Sequence, residues 1–114
     1  MHEASIMQNV FDLAFARLQE ESATRIVRLR LRVGALAGVI PEALTFAFEA
    51  MKADTPAANA ELEMERVPAR LLCRDCQREF EPDDFPAPCP DCGNWAVEVR
   101  QGQELDLVLV EMEV

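Results

Sequence analysis

The chain has 114 residues and half of them are apolar, enough for one small core with at most a minor module attached. Its 21 acidic residues outnumber 11 basic ones, for a formal net charge of −10. That balance argues against nucleic acid or an anionic membrane as a partner, because phosphate binding rests on Lys and Arg.

In chain order, Met1-His2-Glu3-Ala4 precedes any periodic pattern. His2 and Glu3 stand where an export signal carries positive charge, and Asp12 and Arg17 break the apolar run that follows. Neither an export signal nor a transmembrane helix is expected, so the cytoplasm is the expected location. Met7, Phe11, Ala14 and Leu18 then recur at helical spacing, with Ile6, Val10 and Leu13 widening the stripe. This predicts an amphipathic helix from Ser5, or a residue or two earlier, to Glu20.

Arg25 to Val33 alternates with period two. Val27, Leu29, Leu31 and Val33 face one way, and Arg28, Arg30 and Arg32 the other. A half-buried strand is predicted. Glu61, Glu63 and Glu65 alternate with Leu62 and Met64 in a second strand. If the two strands are neighbours, the arginine and glutamate rows form cross-strand ion pairs, each contributing about 0.2–1 kcal/mol.

Between these strands, Pro41 opens a second helix in the favoured first-turn position and Glu42 suits its positive end. Leu44, Ala47, Phe48 and Met51 form its apolar stripe, Phe46 sits near the edge, and Asp54-Thr55-Pro56 ends it. Leu105 to Val114 reads as a last strand, apolar on both faces at Leu107, Val108, Leu109 and Val110, as a strand buried on both faces, or one in mid-sheet, would be. The expected fold class is α+β: a three-stranded sheet with two helices on its Val27/Leu29/Leu31 face, plus an inserted four-cysteine, zinc-ribbon-like module. The expected domains are residues 1–69 with 99–114, and residues 70–98.

All four cysteines lie in that insertion: Cys73-Arg-Asp-Cys76, twelve residues, then Cys89-Pro-Asp-Cys92-Gly93. Two such knuckles at this separation suit one tetrahedral zinc ion. The alternative is a pair of disulfides, which needs an oxidising compartment. Four thiolates close the coordination sphere and leave no position for a catalytic water, so the zinc is expected to be structural. The insertion is too small to fold on its own core, so metal must supply its stability. Nucleic acid is a poor partner for it: six acids and two arginines lie between Cys73 and Cys92.

The lone histidine is His2. The α-amine, the amide of residue 2 and its imidazole can chelate one metal, an arrangement suited to Ni(II) or Cu(II), with the Glu3 amide or a side chain completing the set. An ordinary terminus whose second residue happens to be histidine is the plainer alternative. No catalytic triad can be assembled around one terminal histidine, and Gly34 and Gly38 are too sparse for a phosphate loop, so no enzyme is expected.

Met1-His2-Glu3, the segment Gly34-Ala-Leu-Ala-Gly-Val-Ile-Pro-Glu-Ala-Leu-Thr-Phe-Ala-Phe-Glu49, the paired cysteines and Gly102-Gln-Glu-Leu105 form a combination. Together they resemble the HypA/HybF family of nickel-incorporation proteins for nickel–iron (NiFe) hydrogenase maturation. The resemblance spans essentially the whole chain in the right order. It implies a nickel metallochaperone that binds Ni(II) as cargo through Met1, His2 and Glu3 and holds Zn(II) structurally on Cys73, Cys76, Cys89 and Cys92. It further implies the GTPase HypB as partner and the NiFe-hydrogenase large subunit as client. Some members also supply urease. It leaves a homodimer open. The competing class is a zinc-ribbon adaptor or regulator in which His2 has no metal role.

Overall fold

The computed structural model describes residues 2–114. Its elements are α1 (Glu3–Glu20), β1 (Arg25–Gly34), α2 (Pro41–Met51), β2 (Glu61–Val67), β3 (Arg70–Cys73), β4 (Glu79–Phe80), β5 (Val97–Gln101) and β6 (Leu105–Glu113). They form two compact units: Met1–Arg32 with Gly38–Glu65 and Asp106–Val114, and Val33–Ala37 with Arg66–Leu105.

In the first unit, α1 buries Met7, Val10, Phe11, Ala14 and Leu18, the stripe that its periodicity predicts. Proline at the first turn opens α2, which buries Leu44, Ala47 and Phe48. The two helices meet through aromatic faces, with Phe11 stacked on Phe48 at 5.7 Å and on Phe15 at 5.5 Å between ring centres. Phe46, on the far side of α2, is 76% exposed. The helix ends at Met51, where Lys52 caps it and lays its ammonium 5.2 Å over the Phe48 ring. Asp54 then takes a left-handed turn, with φ of 62°.

The sheet order is β2-β1-β6. Thr24 N–H donates to Glu113 O and Gly34 N–H to Glu104 O, so β1 and β6 run antiparallel. Arg28 lies against Glu63 and Arg32 against Glu65, numbers that rise together, so β1 and β2 run parallel with α2 in the crossover. The predicted ion-pair rows are present: Arg28–Glu63 at 3.3 Å, Arg30–Glu63 at 2.9 Å and Arg32–Glu65 at 3.5 Å. Arg28 also reaches Glu111 of β6 at 3.9 Å. One sheet face is thus solvated by charge, and the other supplies Ile26, Leu29 and Leu31 to the core.

Two expectations need correction. The buried row of β1 is Ile26, Leu29, Leu31 and Val33, with Val27 only half-buried. Two residues, Val27 and Arg28, lie between Ile26 and Leu29 where alternation allows one, a one-residue phase slip of the kind a bulge produces. Secondly, β6 is neither central nor buried on both faces: it is an edge strand, and Val108 is 39% exposed. The centre belongs to β1, which pairs on both sides, so among the described residues β6 has a strand neighbour on one side alone.

The second unit holds a sheet ordered β4-β3-β5, all antiparallel, with Leu71 opposite both Phe80 and Val99, and Cys73 opposite Val97. Leu71 and Cys73 are buried. Its strands of four, two and five residues are too short to show alternation in the sequence. Gly34 and Gly102 meet at its other end. Leu36 N–H donates to Gly102 O at 2.6 Å, and a Cβ on Gly34 would overlap that carbonyl. Gly102 itself has φ of 117°, a conformation glycine adopts without steric conflict.

Candidate metal centres

The two cysteine knuckles are built alike. Cys73 ends β3, and its N–H donates to Arg78 O at 2.9 Å while its carbonyl accepts from Gln77 N–H at 2.8 Å. Cys89 N–H donates to Asn94 O at 2.9 Å, and its carbonyl accepts from Gly93 N–H at 2.8 Å. Gln77 and Gly93 occupy the same place in each turn, with φ of 58° and 73°. Left-handed backbone there reverses the chain sharply enough to aim both thiols of a knuckle the same way. Glycine marks this in the second knuckle; Gln77 gives no such sign in the sequence.

The four Sγ atoms lie within 4.8 Å of one another, and Cys73 Sγ is 3.7 Å from Cys92 Sγ. Four sulfurs, each about 2.3 Å from one tetrahedral ion, stand about 3.8 Å apart, so the donor set fits zinc. The thiols also need a cation. Backbone N–H groups of Cys92 and Asp91 pull the Cys89 thiol down to about 7. Contact with Cys92, burial and the other thiols push Cys76 up to about 12. Asn94 N–H and Cys76 favour the Cys92 thiolate, yet burial and the facing Cys73 and Cys89 leave it raised. Four such thiols lose their protons together only when a cation offsets the crowded negative charge. The closed four-sulfur set makes this a structural zinc site.

Side chains join the knuckles as well. Asn94 Nδ2 donates to the Asp75 carboxylate, and Asn94 Oδ1 accepts the Ala96 N–H at 2.8 Å. Arg78 pairs with Asp91 at 2.8 Å. Spacing alone pointed to none of these.

At the other end of the chain, Met1 lies outside the described residues. His2 is exposed and extended, in the N-cap position of α1, and its carbonyl accepts the Ile6 N–H at 3.1 Å. Amides at a helix start have no intrahelical acceptor, so a metal that claims them breaks no helical hydrogen bond. The Glu3 carboxylate accepts Ile40 N–H at 3.2 Å, and this bond, with one from its own backbone, lowers its pKa. The structure therefore brings the four candidate cysteines together and gives the Glu3 side chain a partner at the start of α2 that the sequence did not suggest.

Fold and site together define a class: a small α+β protein that carries a structural four-thiolate zinc module. Known proteins narrow it. The family model described as "Hydrogenase/urease nickel incorporation, metallochaperone, hypA" matches residues 1–112. The chain is 41% identical over 112 residues to the hydrogenase maturation factor HypA of Picosynechococcus sp., covering 98% of this chain and 99% of that one. It is 43% identical over 115 residues to HypA of Geobacter sulfurreducens, covering 99% and 100%. The solution structure of the Ni metallochaperone HypA from Helicobacter pylori superposes with a TM-score of 0.68 at 25% identity, covering 99% of this chain and 98% of that one. A second HypA solution structure gives 0.71 at 25% identity, covering 98% and 96%. The chain belongs to the HypA family of nickel-incorporation metallochaperones, the proteins of hydrogenase maturation.

Proposed function

We propose that this chain takes up Ni(II) at Met1, His2 and Glu3 and hands it to the NiFe-hydrogenase large subunit, with the GTPase HypB as partner, in the cytoplasm. Residues 1–69 with 99–114 form the nickel domain, and residues 70–98 the zinc module, with Cys73, Cys76, Cys89 and Cys92 as zinc ligands. The observation that carries the nickel assignment is His2 itself: the one histidine of the chain, exposed beside amides that the helix ladder does not use.

The chemistry follows from the donors. The α-amine, the His2 amide and the His2 imidazole close a five- and a six-membered ring on one ion, a nitrogen-rich set that suits Ni(II). The amine and amide must lose protons to bind, so affinity falls as pH drops. A site at the chain's beginning can be approached by a second protein, and transfer proceeds by exchange of ligands at that contact. No bond of a substrate is made or broken, which is why no enzyme is proposed. Urease is the second client to be tried in the same transfer assay.

His2→Ala is expected to abolish nickel binding and keep one zinc per chain by native mass spectrometry. Unchanged nickel stoichiometry in that variant would sink the assignment. Blocking the α-amine with an N-terminal extension should act like the substitution.

A further inference from the structure

Asn94 stands at the junction of the two knuckles in three ways. Its carbonyl accepts the Cys89 N–H at 2.9 Å. Its own N–H favours the Cys92 thiolate. Its side chain, held by the Ala96 N–H on Oδ1 at 2.8 Å, extends Nδ2 to the carboxylate of Asp75, the residue just before Cys76. One residue thus touches both cysteines of the second knuckle and crosses to the first.

We infer that the Asp75–Asn94 hydrogen bond is a latch between the knuckles: both are positioning residues that keep the four thiols converged and set how slowly the site releases zinc. This rests on the zinc reading of the four cysteines given above.

The physical reason lies in how such a site opens. A tetrahedral ion leaves when one pair of thiolates swings away from the other. Within each knuckle, backbone hydrogen bonds fix the two sulfurs relative to one another. Between knuckles, the backbone contributes Arg74 N–H to Ala96 O at 2.9 Å and the pairing of Cys73 with Val97. Both contacts lie at the β3/β5 side, so the tip of the first knuckle, Asp75 and Cys76, depends on side chains. Two are available there. Arg78–Asp91 is an exposed ion pair at 69% and 46% side-chain exposure, a type that contributes little and is screened by salt. The Asn94–Asp75 bond is also at the surface, but the Asn94 amide is already oriented by Ala96, so its bond to the ionised Asp75 carboxylate is charge-assisted and loses little freedom on forming. Arg78–Asp91 therefore serves as an internal control.

The test is zinc release from the full chain into an excess of a chromogenic chelator, with zinc stoichiometry measured by native mass spectrometry on the same samples. Asp75→Ala removes the acceptor and leaves Asn94 in place. Asn94→Asp keeps the acceptor for Ala96 but sets two carboxylates against each other. Each is expected to bind one zinc and release it about tenfold faster, the usual scale for a partner that orients ligands. The double variant D75N/N94D exchanges donor and acceptor at unchanged charge, and it should return to within about threefold of the wild-type rate. Arg78→Ala should change the rate by less than about twofold at high salt. Wild-type rates in Asp75→Ala, or a double variant no slower than Asn94→Asp, would overturn the latch. A wild-type chain without one bound zinc would instead overturn the zinc reading beneath it.

Discussion

The Glu3 carboxylate accepts the Ile40 backbone N–H at 3.2 Å, so a residue of the proposed nickel segment also holds the start of α2. The bond favours the ionised form and depresses the Glu3 pKa below its ordinary 4.5. A depressed carboxyl contributes stability that is present above the ordinary value and lost as pH falls through the folded one. Thermal melts between neutral pH and pH 3 should show wild type losing more stability below pH 4.5 than Glu3→Gln does. Parallel curves would exclude the contact. Because that carboxylate is engaged with Ile40, Glu3→Gln should keep one nickel per chain.

Gly34→Ala should destabilise by about 2 kcal/mol or more, because its Cβ meets the Gly102 carbonyl, and backbone cannot yield as a side chain does. Gly102→Ala adds a left-handed penalty to a clash with Ala69. Gly38→Ala is the control: its φ is 76° but nothing lies near the added methyl, so about 1–2 kcal/mol of backbone strain is all it should show. Urea midpoints that rank all three alike would contradict this packing.

Phe48 and Phe46 lie two residues apart on α2 and should behave oppositely. Phe48 is fully buried and stacked on Phe11, so Phe48→Ala should cost about 3–5 kcal/mol. Phe46→Ala should fall within about 0.5 kcal/mol of wild type, since it removes an exposed ring. Equal losses in chemical denaturation would show that α2 is rotated from the orientation described.

Zinc removal should act on one unit. Trp95 is the one tryptophan, it is 62% exposed, and it follows Asn94 in the cysteine unit. Chelation, or acidification that protonates the thiolates, should change its fluorescence while the helical circular dichroism of α1 and α2 persists. Simultaneous loss of both signals would mean that the zinc site stabilises the whole chain.

Much of this molecule is legible in its sequence, and for local reasons. The stripe Met7, Phe11, Ala14 and Leu18 specifies α1 because four-residue spacing places side chains on one face. Pro41 marks the start of α2 through its fixed φ. The cysteine spacing is enough for a four-thiolate site because each knuckle is a local turn. The Arg28/Arg30/Arg32 and Glu63/Glu65 rows found each other as period and charge require.

Tertiary structure decided what depends on residues far apart in the chain. An apolar run such as Leu107 to Val110 states that a strand has neighbours but not how many, and β6 became an edge because β1 held the centre. Gly34 and Gly102 could each be read as an ordinary turn residue; only their contact makes them necessary. Nothing in the order of residues points to hydrogen-bond partners for the Glu3 and Asp75 carboxylates; folding brings Ile40 N–H and the Asn94 amide to them. Spacing alone determined which residues could share a metal or a helix face. The hydrogen bonds and steric contacts that hold those groups in place arise from distance in space, which the order of residues does not contain.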